Sequence, residues 1–131
     1  MNKEFKVGDK KWWTTYNVFC EIVDIKYDEN SKPFEWIVDT KGLKGIRFDL
    51  FRIEELHQTA DDMFKELGFE RQENNIFGKR NGSWYETIEF YSNYYMHIEW
   101  NEDEEETRAV ATTIEEHQAI HQKLIELGYI E

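Results

Sequence analysis

Trp84-Tyr85-Glu86-Thr87-Ile88-Glu89-Phe90-Tyr91-Ser92-Asn93-Tyr94-Tyr95-Met96-His97-Ile98-Glu99-Trp100 is the densest run of aromatic side chains in the chain. It alternates apolar and polar residues and breaks once, at Ser92-Asn93. Period-two alternation around a short polar break predicts a β-hairpin with one buried face. A two-residue loop would pair Phe90 with Tyr95 and Ile88 with His97, dividing the large apolar side chains between the two faces. A three-residue loop, Tyr91-Ser92-Asn93, pairs Phe90 with Tyr94, Ile88 with Met96 and Trp84 with Trp100. Because a slip of one residue exchanges faces for every side chain, the second register is the expected one. Its opposite face carries Tyr85, Thr87, Glu89, Tyr95, His97 and Glu99.

Beyond the hairpin, Glu102-Asp103-Glu104-Glu105-Glu106 predicts a solvated loop, because like charges repel. Thr113-Ile114-Glu115-Glu116 matches a capping box and opens a helix striped by Ile114, Ile120, Leu124 and Leu127, which Gly128 ends. Before the hairpin, Asn81-Gly82 predicts a tight turn into Trp84. Phe69 to Glu73 and Ile76 to Arg80 read as short strands around Asn74-Asn75. Residues 55–68 read as a helix, with Leu56, Ala60, Met63, Phe64 and Leu67 at helical spacing and Gly68 as its cap. The second half is thus expected as α-β-β-β-β-α, two helices packed on one face of an antiparallel sheet.

Residues 5–53 read as short strands: Lys10 to Tyr16, Val18 to Tyr27, then Phe34, Trp36 and Val38 alternating with polar neighbours, then Ile46, Phe48 and Leu50. Polar or glycine turns separate them, at Asp28 to Pro33 and Lys41 to Gly45. Such spacing predicts a small barrel or sandwich. The order Val7-Gly8-Asp9, Trp12, strand, polar turn, strand, Gly turn, strand and the exit Leu50-Phe51-Arg52-Ile53-Glu54-Glu55-Leu56 resembles SH3-like or Tudor-like small barrels over about residues 1–55. It is similar to the uncharacterised small proteins of phages and prophages that open on such a barrel, although Lys11 stands where those openings place an apolar residue. The resemblance implies a binding module and names no chemistry. The expected class is therefore α+β, an SH3-like barrel lobe over 1–54 followed by an acidic α+β lobe over 55–131.

The chain has 131 residues, 40% hydrophobic and 16% aromatic, enough for a real core. Its formal net charge is −12. Residues 1–56 hold 10 Lys/Arg against 11 Asp/Glu, whereas residues 57–131 hold 6 against 17, a net of −11. That surface repels phosphate backbones, so direct nucleic-acid binding is not expected, and it favours a partner with a basic surface. There is no apolar run of membrane-spanning length, and Met1-Asn2-Lys3-Glu4-Phe5 lacks the apolar core of a signal peptide. A single cysteine, Cys20, excludes an internal disulfide. A cytoplasmic protein is expected.

Several patterns have to be weighed for chemistry. His117 and His121 have the spacing at which two imidazoles face one metal, but Gln118 stands where the zinc-peptidase signature has its catalytic Glu. Asp24-Ile25-Lys26 has the Asp-x-Lys form of metal-dependent nucleases, and its recurrence at Asp39-Thr40-Lys41 shows how cheaply it arises. Cys20 lies in a strand without a helix start or basic cluster, the setting of an inert thiol. Trp12, Trp13, Tyr16, Phe19 and Trp36 suit a barrel core better than a cage for a methylated cation, with Trp12 and Trp13 on opposite faces and one of them exposed or at the interface between the lobes.

No catalytic residue, cofactor or metal is therefore expected. The reading is a non-enzymatic interaction protein of phage or prophage type that binds another protein. Its expected contact residues are Tyr85, Tyr95, His97, Glu99, Glu102, Asp103, Glu104, Glu105 and Glu106. The alternative is a nucleic-acid mimic, its acidic lobe occupying the basic channel of a host DNA- or RNA-binding protein. A metal-dependent enzyme is the third reading and has no supporting constellation.

Overall fold

The computed structural model describes residues 5–73 and 75–130. The opening segment 1–4 and Asn74, read above for the lack of a leader and as part of a turn, lie outside the described residues. The described chain is α+β and holds two antiparallel five-stranded sheets and two α-helices, in two compact units, Met1–Thr59 and Ala60–Glu131. None of its helices is long and apolar enough to cross a membrane.

In the first unit, β1 (Lys10–Trp13), β2 (Val18–Tyr27), β3 (Pro33–Thr40) and β4 (Leu43–Phe48) form a meander. A 3-10 turn, Arg52–Glu55, then feeds β5 (Leu56–Gln58), which pairs with β1. The spatial order is β4-β3-β2-β1-β5, leaving β4 and β5 as the two edges. A bulge between Ile22 and Asp24 shifts the alternation, so that Ile25 rather than Asp24 turns inward. Trp13, Cys20, Ile22, Ile25, Trp36, Val38, Phe48, Ile53 and Leu56 make one core. Asp49 nucleates the 3-10 turn by accepting from the backbone N–H groups of Phe51 and Arg52 at 3.0 and 2.7 Å.

Three expectations are corrected here. The first strand stops at Trp13 rather than reaching Tyr16, and of the helix expected over 55–68 only 60–66 is helical. Its first turns are the end of the 3-10 turn and β5, where Leu56 is buried by a strand rather than by a helix face. Neither tryptophan of the pair is exposed: Trp13 is in the core, and Trp12 is buried edge-on to Phe19 at 4.8 Å.

In the second unit, α1 (Ala60–Glu66) leads into β6 (Glu70–Glu73), β7 (Ile76–Asn81), β8 (Trp84–Phe90), β9 (Tyr95–Asn101) and β10 (Glu106–Ala109), and α2 (Ile114–Glu126) closes it. The sheet is a plain meander, β10-β9-β8-β7-β6. Ala60 and Phe64 of α1 and Ala119 and Ile120 of α2 pack with Phe69, Phe77, Ile88 and Phe90, so both helices lie on one sheet face. The capping box forms as read: Thr113 Oγ1 accepts from the Glu116 N–H at 3.1 Å, and Glu116 Oε1 accepts from the Thr113 N–H at 2.8 Å. Gly68 and Gly128, at φ +91° and +78°, end their helices in the left-handed conformation. In α2, Ile114 is 75% exposed and Ala119 lies in the buried stripe instead. Glu126 of α2 caps α1, accepting from the Ala60 N–H at 2.7 Å, and burial pushes its carboxyl above the usual range.

The acidic run is not wholly a loop. Only 102–105 turns, and Glu106 begins a fifth strand, so the order is α-β-β-β-β-β-α. Asn101 holds the turn, its Oδ1 accepting from the N–H groups of Asp103 and Glu104 at 2.9 and 3.1 Å. An Asx turn of this kind outweighs the weak repulsion of exposed charges.

The hairpin adopts the register that was not expected. Phe90 opposes Tyr95, Ile88 opposes His97, Glu86 opposes Glu99 and Tyr85 opposes Trp100. Tyr91 and Tyr94 close the loop by a 2.8 Å backbone hydrogen bond, with their rings stacked 4.8 Å apart. The helix-facing side therefore carries Trp84, Glu86, Ile88, Phe90, Tyr95, His97, Glu99 and Asn101. The outer side carries Tyr85, Thr87, Glu89, Met96, Ile98 and Trp100. The expected pairing assumed that the largest apolar side chains share the buried face. It failed because Glu86 and His97 are buried as a mutually hydrogen-bonded pair, which removes the penalty of placing either there alone.

Gly78 is fixed by this register. On the outer face, a Cβ there would lie 2.7 Å from Tyr85 Cζ and closer still to its hydroxyl. Gly78→Ala should therefore destabilise the second unit by about 1–3 kcal/mol through overpacking. Urea unfolding checks this, and combining it with Tyr85→Ala should recover most of the loss. An undiminished loss in the double variant would refute the contact as the cause.

Candidate functional site

Alternation along β8 and β9, once the register is set, drives polar groups under α2. Glu86 in β8 and His97 in β9 lie on the helix-facing side, and the first turn of α2 brings Glu116 down on them. Exposures are 5% for Glu86, 8% for His97 and 6% for Glu116. One ligand atom from each, an imidazole nitrogen and two carboxylate oxygens, lies within 4.8 Å of the others. Each residue is held from outside. His97 Nε2 meets Glu86 Oε2 at 2.5 Å, and His97 Nδ1 meets Thr112 Oγ1 at 2.9 Å. Glu86 Oε1 accepts from Asn81 Nδ2 at 3.2 Å, and Glu116 Oε1 accepts from the Thr113 N–H. Among the described residues, no lysine or arginine pairs with Glu86 or Glu116.

The outer side of the same sheet is of opposite character. Met96 and Trp100 are 38% and 42% exposed, flanked by the half-buried Tyr85, Thr87, Glu89 and Ile98. Both helices of the unit lie on the other side, so they leave this row uncovered. The Arg80 guanidinium lies 5.8 Å from the Tyr85 ring.

The residues read as a contact set do not share one face. Tyr85 is on the outer side. Tyr95 is on the helix-facing side at its rim, 39% exposed and 6.0 Å from the Phe90 ring. His97 is buried in the cluster rather than solvent-facing, which corrects its expected placement. Glu99 accepts from Arg108 Nε at 3.0 Å, and the Arg108 guanidinium lies 3.8 Å over the Trp84 ring. Glu102, Asp103, Glu104 and Glu105 form the exposed turn, with Glu106 at the start of β10.

The remaining candidates are placed as follows. His117 and His121 are exposed on α2 with rings 6.4 Å apart. Asp39 accepts from the Gly45 N–H at 2.8 Å, a turn-forming role, while Lys26 pairs with Glu35 at 3.7 Å. Cys20 is buried, and burial pushes its thiol up to about 11, away from the thiolate a nucleophile needs. Trp13 and Phe48 already face a cation of the chain, the Arg52 guanidinium, at 5.2 and 4.8 Å.

The sequence reading missed Glu86 and Thr112 and assigned Glu116 only its capping role. One signal was available: in Glu86-x-Ile88-x-Phe90, a carboxylate shares the period of two core residues. Comparison with family models, curated proteins and solved structures found no match for this chain.

Proposed function

We propose that the protein is a non-enzymatic interaction module of phage or prophage accessory type, which binds another protein through the outer face of its second sheet. One observation carries this reading: Met96 and Trp100 stand exposed beside Tyr85 on a sheet face that the unit's own helices leave uncovered. Exposed aromatic and methionine side chains grouped on a rigid strand surface are the usual anchors of protein interfaces. The net charge of −11 over residues 57–131 favours a partner whose rim is basic. For the first unit we propose an SH3-like barrel, supported by the order β4-β3-β2-β1-β5 and by the 3-10 turn that precedes β5.

A second reading, the nucleic-acid mimic, is favoured by the turn in which Asn101 presents Glu102, Asp103, Glu104 and Glu105 together. Capture from a lysate of the encoding organism, with wild type and three variants as bait, separates the two. If the aromatic face is the anchor, Tyr85→Ala and Trp100→Ala should each weaken a captured partner by about 2 kcal/mol or more, chiefly through faster dissociation. Neutralising 102–106 with Asn and Gln should then mainly slow association. Loss of the partner on neutralising the turn, together with competition by duplex DNA, would instead establish the mimic.

A further inference from the structure

We propose that Glu86, His97 and Glu116 form a binding site for one divalent transition-metal ion of the zinc class. The site is independent of the outer sheet face, because its three residues lie on the other side of β8 and β9 and on α2.

The donor set is the first argument. Neutral imidazole nitrogen with carboxylate oxygens and no thiolate suits Zn2+, Co2+ or Mn2+, whereas Mg2+ and Ca2+ prefer all-oxygen shells. The three donors come from β8, β9 and α2, each more than nine-tenths buried, with ligand atoms within 4.8 Å of one another. Ligands about 2.0–2.2 Å from a tetrahedral ion stand roughly 3.3–3.5 Å apart. Side-chain adjustments of about an ångström would reach that spacing.

The outer shell is the second argument. Metal-bound histidines give their other nitrogen to a hydrogen-bond partner, which fixes the ring. Here Thr112 occupies Nδ1 of His97 at 2.9 Å, leaving Nε2 to point into the cluster. Asn81 holds Oε1 of Glu86 and the Thr113 N–H holds Oε1 of Glu116, so each carboxylate keeps its other oxygen for an ion.

Charge is the third. Two buried carboxyl groups have a single imidazole between them, and among the described residues no lysine or arginine pairs with either glutamate. Buried charge that is not paired is found coordinating metals. The ion would take the place of the direct His97 Nε2–Glu86 Oε2 contact. Thr112, which holds the His97 ring at Nδ1, lies in the exposed segment 111–115.

Co2+ titration of the chelator-treated full chain tests the site, read by ligand-field absorption and by metal analysis after dialysis. The expected result is one ion per chain, with the bands of a four- or five-coordinate site, and displacement by Zn2+. Thr112→Ala, at an exposed position outside the ligand set, should weaken binding by about 10–100-fold. Glu116→Gln, which preserves the capping box, should weaken it more than Thr112→Ala. His117→Ala with His121→Ala should leave the affinity unchanged. A wild-type chain that retains no stoichiometric Co2+ or Zn2+ overturns the proposal. So does binding that survives Glu116→Gln and Thr112→Ala but is lost with His117 and His121.

Discussion

Phe64→Ala is expected to destabilise the second unit by about 3–5 kcal/mol, the range for truncating a fully buried phenylalanine. Phe64 has no exposed surface and is the hub of the aromatic core. Its ring stacks on Phe77 with centroids 4.3 Å apart and meets Phe69 and Phe90 edge-on at 5.7 and 6.1 Å. Truncation removes apolar burial, leaves a cavity and deletes three aromatic contacts at once. α1 is only seven residues long, too short to be stable alone, so it depends on this packing together with the Glu126 cap and the pairing of Asp61 with Arg71 and Lys123. Amide exchange in α1 and β7 should therefore accelerate along with the loss seen in urea. Trp100→Ala is the matched control: a larger side chain at 42% exposure should cost less, about 1–2 kcal/mol. If Trp100→Ala matched Phe64→Ala, the assignment of the two sheet faces would fail.

That comparison also marks what could be read from the chain. The local signals were legible because each is a short-range preference of backbone or side chain. The capping box at Thr113 and Glu116, the left-handed glycines 68 and 128, and the strands on either side of Ser92-Asn93 are of this kind. The bulge that turns Ile25 inward and the strand at Leu56 were not legible, because both depend on a neighbouring strand distant in sequence. The hairpin register misled for a sharper reason. Counting apolar side chains assigns Met96, Ile98 and Trp100 to the core, and only the Glu86–His97 pair explains why the faces are reversed. A buried polar pair is invisible to hydropathy, since each member alone argues for exposure. The same inversion hid the three-residue cluster and exposed the aromatic row on which the proposed function rests.

His97→Ala, measured in chelator so that no ion contributes, is expected to destabilise the chain by about 3–5 kcal/mol. The loss exceeds what one hydrogen bond is worth. Removing the imidazole leaves Glu86 buried at 5% exposure with Asn81 Nδ2 as its one remaining side-chain partner among the described residues, and leaves the Thr112 hydroxyl without its ring partner. Glu86→Gln should cost less, because an amide can still accept from Asn81 and its NH2 can donate to His97 Nε2 in the tautomer protonated at Nδ1. The double variant Glu86→Leu with His97→Leu isolates the pair, since it replaces both polar groups with apolar ones on a face already lined by Ile88 and Phe90. Its cost should fall below the sum of the two single leucine variants, with a coupling of about 1–3 kcal/mol. Additive losses would mean that the two side chains are buried side by side without depending on each other. The register of the hairpin would then need another cause, and the turn closed by Tyr91 and Tyr94 would be the remaining candidate.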